Sequence, residues 1–291
     1  MKRIFVTFIA AAALFAGCTK DDTGKDVQAG AKKLNLRATV SETRATATAF
    51  EQGDKLGLFL TNLKDGAAAY ANEQLTVGAD GALKGASELT YPVKTKTVSI
   101  AAYYPYAEGV AAATSVPVSL PEDQTSANLS EIDLMGAYVA DMEPTNEVVN
   151  LEFSHLLSKV VIEVVAGDNA TEVEVADAKA NLVASLAGNV DVTTGAVSGA
   201  EAAKEVKGAT VIVLPQTITG VMAKVVSSYG TFDIQAPEGG LSLEAGKVST
   251  VTVKVNVKEQ TGFYVATRIK AWEDVNADEI DVVQPIYPTK E

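Results

Sequence analysis

The sequence predicts an all-β protein, and three observations carry that prediction. Apolar residues recur at every second position over most of the chain after residue 33, which is the period of a half-buried strand. Turn sequences such as Asp65-Gly66 and Asp80-Gly81 separate these runs. Roughly 250 residues carry the pattern, whereas one sandwich needs about 100. We therefore expect two tandem β-sandwich domains of the immunoglobulin-like kind.

The first residues have the composition of a signal peptide, over residues 1–17. Lys2 and Arg3 precede an apolar run that is shorter than the roughly 20 residues needed to span a bilayer. The run ends in Leu14-Phe15-Ala16-Gly17-Cys18, which resembles a bacterial lipobox. Cys18 is the only cysteine of the chain, so we expect acyl chains on it to anchor the protein in the outer membrane.

Residues 18–44 form a leader that differs in charge from the rest. Lys20-Asp21-Asp22 resembles the signal that sends lipoproteins of the Bacteroidetes to the outer face of the outer membrane, so we expect a surface-exposed chain. Residues 19–33 are rich in charged and small residues and are typical of a flexible tether. The leader carries a net charge of +2, whereas the whole chain carries −13. So acidic a chain argues against nucleic acid as a partner.

A strand with one apolar face ends the leader. Arg44 then lies among small residues, and its bond to Ala45 is of a kind that a trypsin-like protease reaches easily. Read from the residues alone, this is a first strand followed by a loop. The apolar positions of the strand are Leu34, Leu36, Ala38 and Val40, which alternate with Asn35, Arg37 and Thr39.

The remaining chain predicts one domain over residues 45–146 and a second over residues 147–291. The boundary is placed at 143–146, where the sequence is Glu-Pro-Thr-Asn. Short helices are expected only over residues 177–186 and 201–206, which are rich in alanine and charge.

Several sequence blocks together resemble the fimbrillin family, whose members build the type V pili of Bacteroidetes. The resemblance implies two transthyretin-like sandwich domains and a precursor whose N-terminal strand fills a groove until a protease removes it. It implies cleavage between Arg44 and Ala45, and other pilin subunits as partners in a head-to-tail polymer. The blocks are Phe50–Phe59, Val98–Tyr106, Asp133-Leu134-Met135, Leu151–Val160 and the single tryptophan, Trp272.

The segment that would fill the emptied groove of the next subunit is placed near the C-terminus. Residues 279–288 have the alternation of a strand, with Ile280, Val282, Ile286 and Tyr287 as candidate donor side chains. Two prolines fit this assignment poorly, because proline donates no backbone hydrogen bond to a sheet. A subunit that inserts its tail into the next one forms an open filament.

The residues needed for catalysis or cofactor binding are few. The only histidine, His155, lies in an apolar strand, and a zinc site would need several His or Cys. Asp274, Asn276 and Asp278 have calcium-loop spacing, but Glu279 stands where such a loop needs glycine. We therefore expect no enzyme activity, no metal and no cofactor.

The resulting hypothesis is a pilin precursor that serves adhesion to a host or bacterial surface. Two alternatives stay open: a surface lipoprotein that binds glycans without polymerising, and an anchor or tip subunit that keeps its leader. Exposed, coplanar aromatic side chains would favour the first alternative, and Tyr103-Tyr104-Pro105-Tyr106 is the candidate cluster.

Overall fold

The computed structural model of the chain describes most of the residues after the tether. For residues after 255 it describes backbone pairing alone. The regular secondary structure of the described part is nearly all β-strand, so the prediction of an all-β chain is confirmed. Its one helix, α1 (Leu129–Ile132), is too short and polar to cross a membrane. The described residues are 31–41, 50–167, 175–228, 230–258, 262–271 and 280–285.

Seven of the first eight strands form one closed barrel. Its order is β1-β4-β3-β2-β5-β7-β8, and β8 pairs back with β1 to complete the ring. The strands are β1 (Asn35–Val40), β2 (Lys55–Asn62), β3 (Ala68–Val77), β4 (Ala82–Lys84), β5 (Val98–Tyr104), β6 (Val116–Ser119), β7 (Met135–Met142) and β8 (Val148–His155).

The other described strands, β6 and those from β9 onward, form two larger sheets and two small ones. The larger sheets have the orders β13-β10-β16-β17 and β14-β9-β19-β20-β21, and the small ones are β12-β11-β6 and β15-β18. The strands are β9 (Ser158–Ala166), β10 (Lys179–Ala184), β11 (Ala187–Val190), β12 (Val197–Ser198), β13 (Lys204–Val206), β14 (Thr210–Val213), β15 (Gln216–Ile218), β16 (Val221–Ser227), β17 (Gly230–Gln235), β18 (Leu241–Leu243), β19 (Val248–Lys258), β20 (Gly262–Ala271) and β21 (Ile280–Pro285).

Both predicted helices are wrong, since residues 177–186 contain β10 and residues 201–206 contain β13. Their alanines and charged residues favour helix in isolation. In the fold, however, Ala180, Leu182 and Ala184 are buried at alternate positions of β10, and that packing overrides the intrinsic preference.

The buried apolar side chains fall into two clusters, and strands β2 and β5 lie between them. Leu58 and Ile100 belong to the cluster inside the barrel, whereas Phe59 and Tyr103 face the larger cluster of the second half. Burial on both faces explains why these strands read as continuous apolar runs. Strand β6 pairs with β11 of the second half. The buried residues of β8 belong to the barrel cluster, whereas those of β9 belong to the larger cluster. The predicted division into two tandem sandwiches stays a prediction.

Candidate functional site

Strand β1 is the segment that the sequence singles out, and the structure seats it in the barrel. Leu34, Leu36 and Ala38 are 4%, 2% and 7% exposed and belong to the barrel cluster, and Val40 is half-buried against it. The intervening side chains point to solvent, as the period of two requires. Burying a leucine contributes about 1.5–3 kcal/mol, so this face holds the strand strongly.

Backbone pairing of β1 is unequal on its two sides. It runs parallel to β8 over six residue pairs, from Asn35 opposite Val148 to Val40 opposite Phe153. On the other side it is antiparallel to β4 over two pairs only. Removing β1 would therefore open the ring and leave one long and one short strand edge unpaired, and such edges accept another strand.

The approach to β1 is held by hydrogen bonds from the loops at one end of the barrel. Leu34 donates its backbone N–H to the carbonyl of Leu89, and Tyr91 donates to the carbonyl of Lys32, both at 2.9 Å. The side-chain amide of Asn35 donates to the backbone carbonyl of Asn146 at 2.8 Å. These bonds extend the pairing of the strand toward the tether.

The outer face of β1 carries two ion pairs. Lys33 Nζ lies 2.5 Å from Glu88 Oε1, and an Arg37 Nη lies 3.8 Å from Asp80 Oδ2. The pKa of Asp80 is lowered mainly by the backbone N–H of Ala82, with Arg37 a smaller cause. Exposed pairs of this kind contribute about 0–1 kcal/mol, so they add little to the stability of the strand.

Gly81 is where the neighbouring turn approaches β1 most closely. It has a φ of +78°, and a Cβ atom there would lie 3.1 Å from the carbonyl oxygen of Ala38. The backbone N–H of Ala38 in turn donates to the carbonyl of Gly81 at 2.9 Å. Glycine thus allows both the turn and the close contact with the strand.

The predicted modification sites lie outside the described residues: Cys18, Arg44 and Ala45. The structure shows the two ends of the segment that contains Arg44. On one side, Ser41 donates its N–H to the carbonyl of Phe153. On the other, the ring of Phe50 packs against the rings of Phe153 and Tyr104.

The candidate donor strand lies apart from β1. Strand β21 contains Ile280 and Val282 and is antiparallel to β20 at the outer end of the five-stranded sheet. Ile286 and Tyr287 lie outside the described residues. The structure therefore does not bring the donor and the removable strand together within one chain.

A contact that sequence reasoning missed joins two of the family blocks. His155 Nδ1 lies 2.6 Å from Asp133 Oδ2, and the two side chains are only 11% and 16% exposed. The pair links the end of β8 to the start of β7. Over the part of the chain that the structure describes, no cluster of three potential metal ligands occurs. The calcium-like spacing at Asp274 lies outside the described residues.

Two residues of the tyrosine cluster, Tyr103 and Tyr104, pack against other parts of the protein. Tyr103 is fully buried, and its hydroxyl bonds with Asn72 Oδ1 and the carbonyl of Ala107. Tyr104 is half-buried against Phe50. Tyr103 and Tyr104 therefore serve packing rather than ligand stacking.

Comparisons with known proteins agree with this architecture. The structure of a proposed cell adhesion protein from Bacteroides uniformis has a TM-score of 0.60 and 24% identity, covering 84% of this chain and 100% of that one. One from Bacteroides ovatus has a TM-score of 0.60 and 21% identity, covering 84% and 99%. A fimbrial assembly protein from Parabacteroides distasonis has a TM-score of 0.51 and 12% identity, covering 88% and 99%. No curated protein matches in sequence.

These structural likenesses establish a shared all-β fold. The family model described as fimbrillin-like matches residues 43–272. The chain belongs to the fimbrillin-like family, a family of structural fimbrial subunits rather than enzymes. The resemblance stated from the sequence blocks is thereby confirmed.

Proposed function

We propose that this chain is the precursor of a pilus subunit that polymerises by strand exchange. It is lipidated at Cys18, displayed on the outer membrane, and cut by a trypsin-like protease between Arg44 and Ala45. The loss of β1 then opens a groove that the C-terminal strand of another subunit fills. In this proposal the two halves of the chain are transthyretin-like sandwich domains, and the polymer serves adhesion.

The seating of β1 is the observation that carries the proposal. The strand buries an apolar face in the barrel and completes the ring, yet it belongs to the part of the chain that precedes Arg44. A cut after Arg44 severs its only covalent link to the rest of the barrel. The edges of β8 and β4 then offer backbone groups to an incoming strand, which is how donor-strand complementation works.

The test is the N-terminus and size of the protein released from intact cells that express it. We expect a chain that begins at Ala45, measured by mass spectrometry, and a detergent-resistant ladder on an unboiled gel. Arg44→Ala should give a chain beginning at Cys18 that runs as a monomer. Arg37→Ala is the matched control and should still be cut and polymerise.

A wild-type chain that keeps Cys18 and runs only as a monomer would overturn the proposal. An anchor subunit or a non-polymerising glycan-binding lipoprotein would then be the better account of the protein.

A further inference from the structure

The described contacts of β1 and its approach all come from residues that precede the proposed cut. The strand pairs with β8 over its whole length and with β4 over two residues. Its last described bond runs from the N–H of Ser41 to the carbonyl of Phe153 at 2.8 Å. Cleavage between Arg44 and Ala45 therefore breaks a covalent link and leaves these contacts in place.

The same contacts are of the kind that hold a separate peptide in a groove. Leu34, Leu36 and Ala38 are buried, and the backbone between them is paired with the edge of β8. Peptides that add a strand to a sheet bind through such backbone bonds and alternate side chains. Free dissociation has to expose the apolar face and break the backbone bonds together, so a severed leader leaves slowly by itself.

The end of β1 that lies farthest from the cut is held by two loops. The N–H of Leu34 donates to the carbonyl of Leu89 at 2.9 Å, on one side of the strand. The side-chain amide of Asn35 donates to the carbonyl of Asn146 at 2.8 Å, on the other side. This end also carries the larger buried side chains of the strand.

The end of β1 nearest the cut is held mainly from one side. On the β4 side, the bond from the N–H of Ala38 to the carbonyl of Gly81 is the last backbone bond that the described residues make. Beyond it, Val40 is only half-buried, and Ser41 is bonded to β8 through Phe153. Segments with few buried contacts open first, so local opening of β1 begins at Val40.

We propose that the severed leader stays in its groove and that a strand of a second copy of the chain displaces it, starting at the Val40 end. This inference rests on the cleavage and strand exchange proposed above and adds how the exchange runs. As Val40 opens, the incoming strand pairs with β8 beside Phe153 and advances residue by residue towards Leu34. The groove is never empty, because each step buries a new side chain as it releases an old one.

Size-exclusion chromatography of the full chain after limited trypsin cleavage tests whether the leader is retained. Mass spectrometry under denaturing conditions should show the cut after Arg44, whereas the leader fragment should elute with the barrel under native conditions. The sample is kept dilute so that subunits rarely meet. A leader fragment that separates from the barrel as soon as it is cut would overturn the proposal.

A matched pair of variants shows what retains the leader. Leu36→Ala removes a side chain that is 2% exposed and should shorten the residence time of the leader about tenfold or more. Arg37→Ala alters the solvent-facing side of the same strand and should change the residence time by less than about twofold. Equal effects of the two variants would contradict retention by the apolar face.

A fluorescent peptide with the sequence of residues 31–41 tests the displacement, since this sequence already fits the groove. Added to the nicked wild-type chain, the peptide should replace the leader at a rate that rises with peptide concentration. A rate that does not depend on peptide concentration would overturn the proposal, because the leader would then leave before anything enters.

Two variants that each remove one hydrogen bond locate the end at which the peptide enters. Ser41→Pro removes the N–H that bonds to Phe153 near the cut and should speed the exchange about two- to tenfold. Asn35→Ala removes the bond to Asn146 at the far end and should change the rate by less than about twofold. An equal or larger effect of Asn35→Ala would contradict entry at Val40.

These kinetics are measured on the nicked protein, so their failure is distinct from failure of the proposed function, which would appear as an uncut monomer released from cells.

Discussion

The ring of Phe50 packs edge-on against the ring of Phe153, with centroids 4.9 Å apart and planes at 80°. The backbone of Phe153 also accepts the N–H of Ser41 at 2.8 Å. Both ends of the segment over residues 42–49, which contains Arg44, are thus held at one residue of β8. This arrangement ties the proposed cleavage site to the strand that β1 would leave.

Replacing Phe50 with alanine should speed cleavage after Arg44 several-fold. Aromatic pairs contribute about 0.5–1.5 kcal/mol beyond their buried area, and without this contact the segment is held at one end only. The measurement is the initial rate of cutting by dilute trypsin, followed by mass spectrometry. Tyr138→Ala removes an exposed aromatic side chain elsewhere on the barrel and serves as the control. Equal rates for Phe50→Ala and the wild type would contradict the expectation.

Gly81→Ala should destabilise the full chain by more than Gly66→Ala. Both glycines have positive φ, +78° and +71°, so each substitution incurs about 1–2 kcal/mol of backbone strain. Only Gly81 approaches another strand, because nothing lies within 4 Å of a Cβ at Gly66. Urea denaturation of the two variants isolates the contribution of the contact with Ala38. Equal losses in the free energy of unfolding would show that the turn at Gly81 can shift without disturbing β1.

The ionised carboxylate of Asp80 should support stability at neutral pH and lose that effect in acid. Its pKa is lowered from 3.8 in the fold, chiefly by the backbone N–H of Ala82. A lowered folded-state pKa gives stability that is present above the unfolded value and lost as the pH falls through the folded one. The wild type should therefore exceed Asp80→Asn in stability at pH 7, and the difference should vanish below the folded pKa. A difference that does not change with pH would refute this assignment.

His155 and Asp133 should show energetic coupling in a double-mutant cycle. Removing His155 leaves a buried carboxylate without that partner, at a cost of about 1–3 kcal/mol. We expect His155→Gln and Asp133→Asn together to cost less than the sum of the single variants. Lys204 and Glu122, 3.0 Å apart but mostly exposed, form the comparison pair and should couple by about 0.2–1 kcal/mol. Additive losses at the buried pair would argue against the coupling.

The strands were predictable where burial is one-sided. The alternation of Leu34, Leu36 and Ala38 predicts β1 and its inward face, because only one side of that strand meets the core. The helix predicted around Leu182 failed, since alanines that favour helix locally fill narrow positions between packed sheets. Intrinsic preference decided the prediction there, and tertiary packing decided the structure.

Contacts between distant parts of the chain could not be predicted. Nothing in a single sequence indicates that β1 pairs with β8, or that Asp133 meets His155, because such partners carry no local pattern.

Because β1 pairs with β8, it cannot take its place in the barrel until β8 has been synthesised. The hydroxyl of Thr39 bonds to the carbonyl of Leu151, which lies 112 residues later. At about 5–20 residues per second, the ribosome needs on the order of ten seconds to supply that partner. Until then the apolar face of β1 has no barrel to enter, so this face stays exposed on the growing chain.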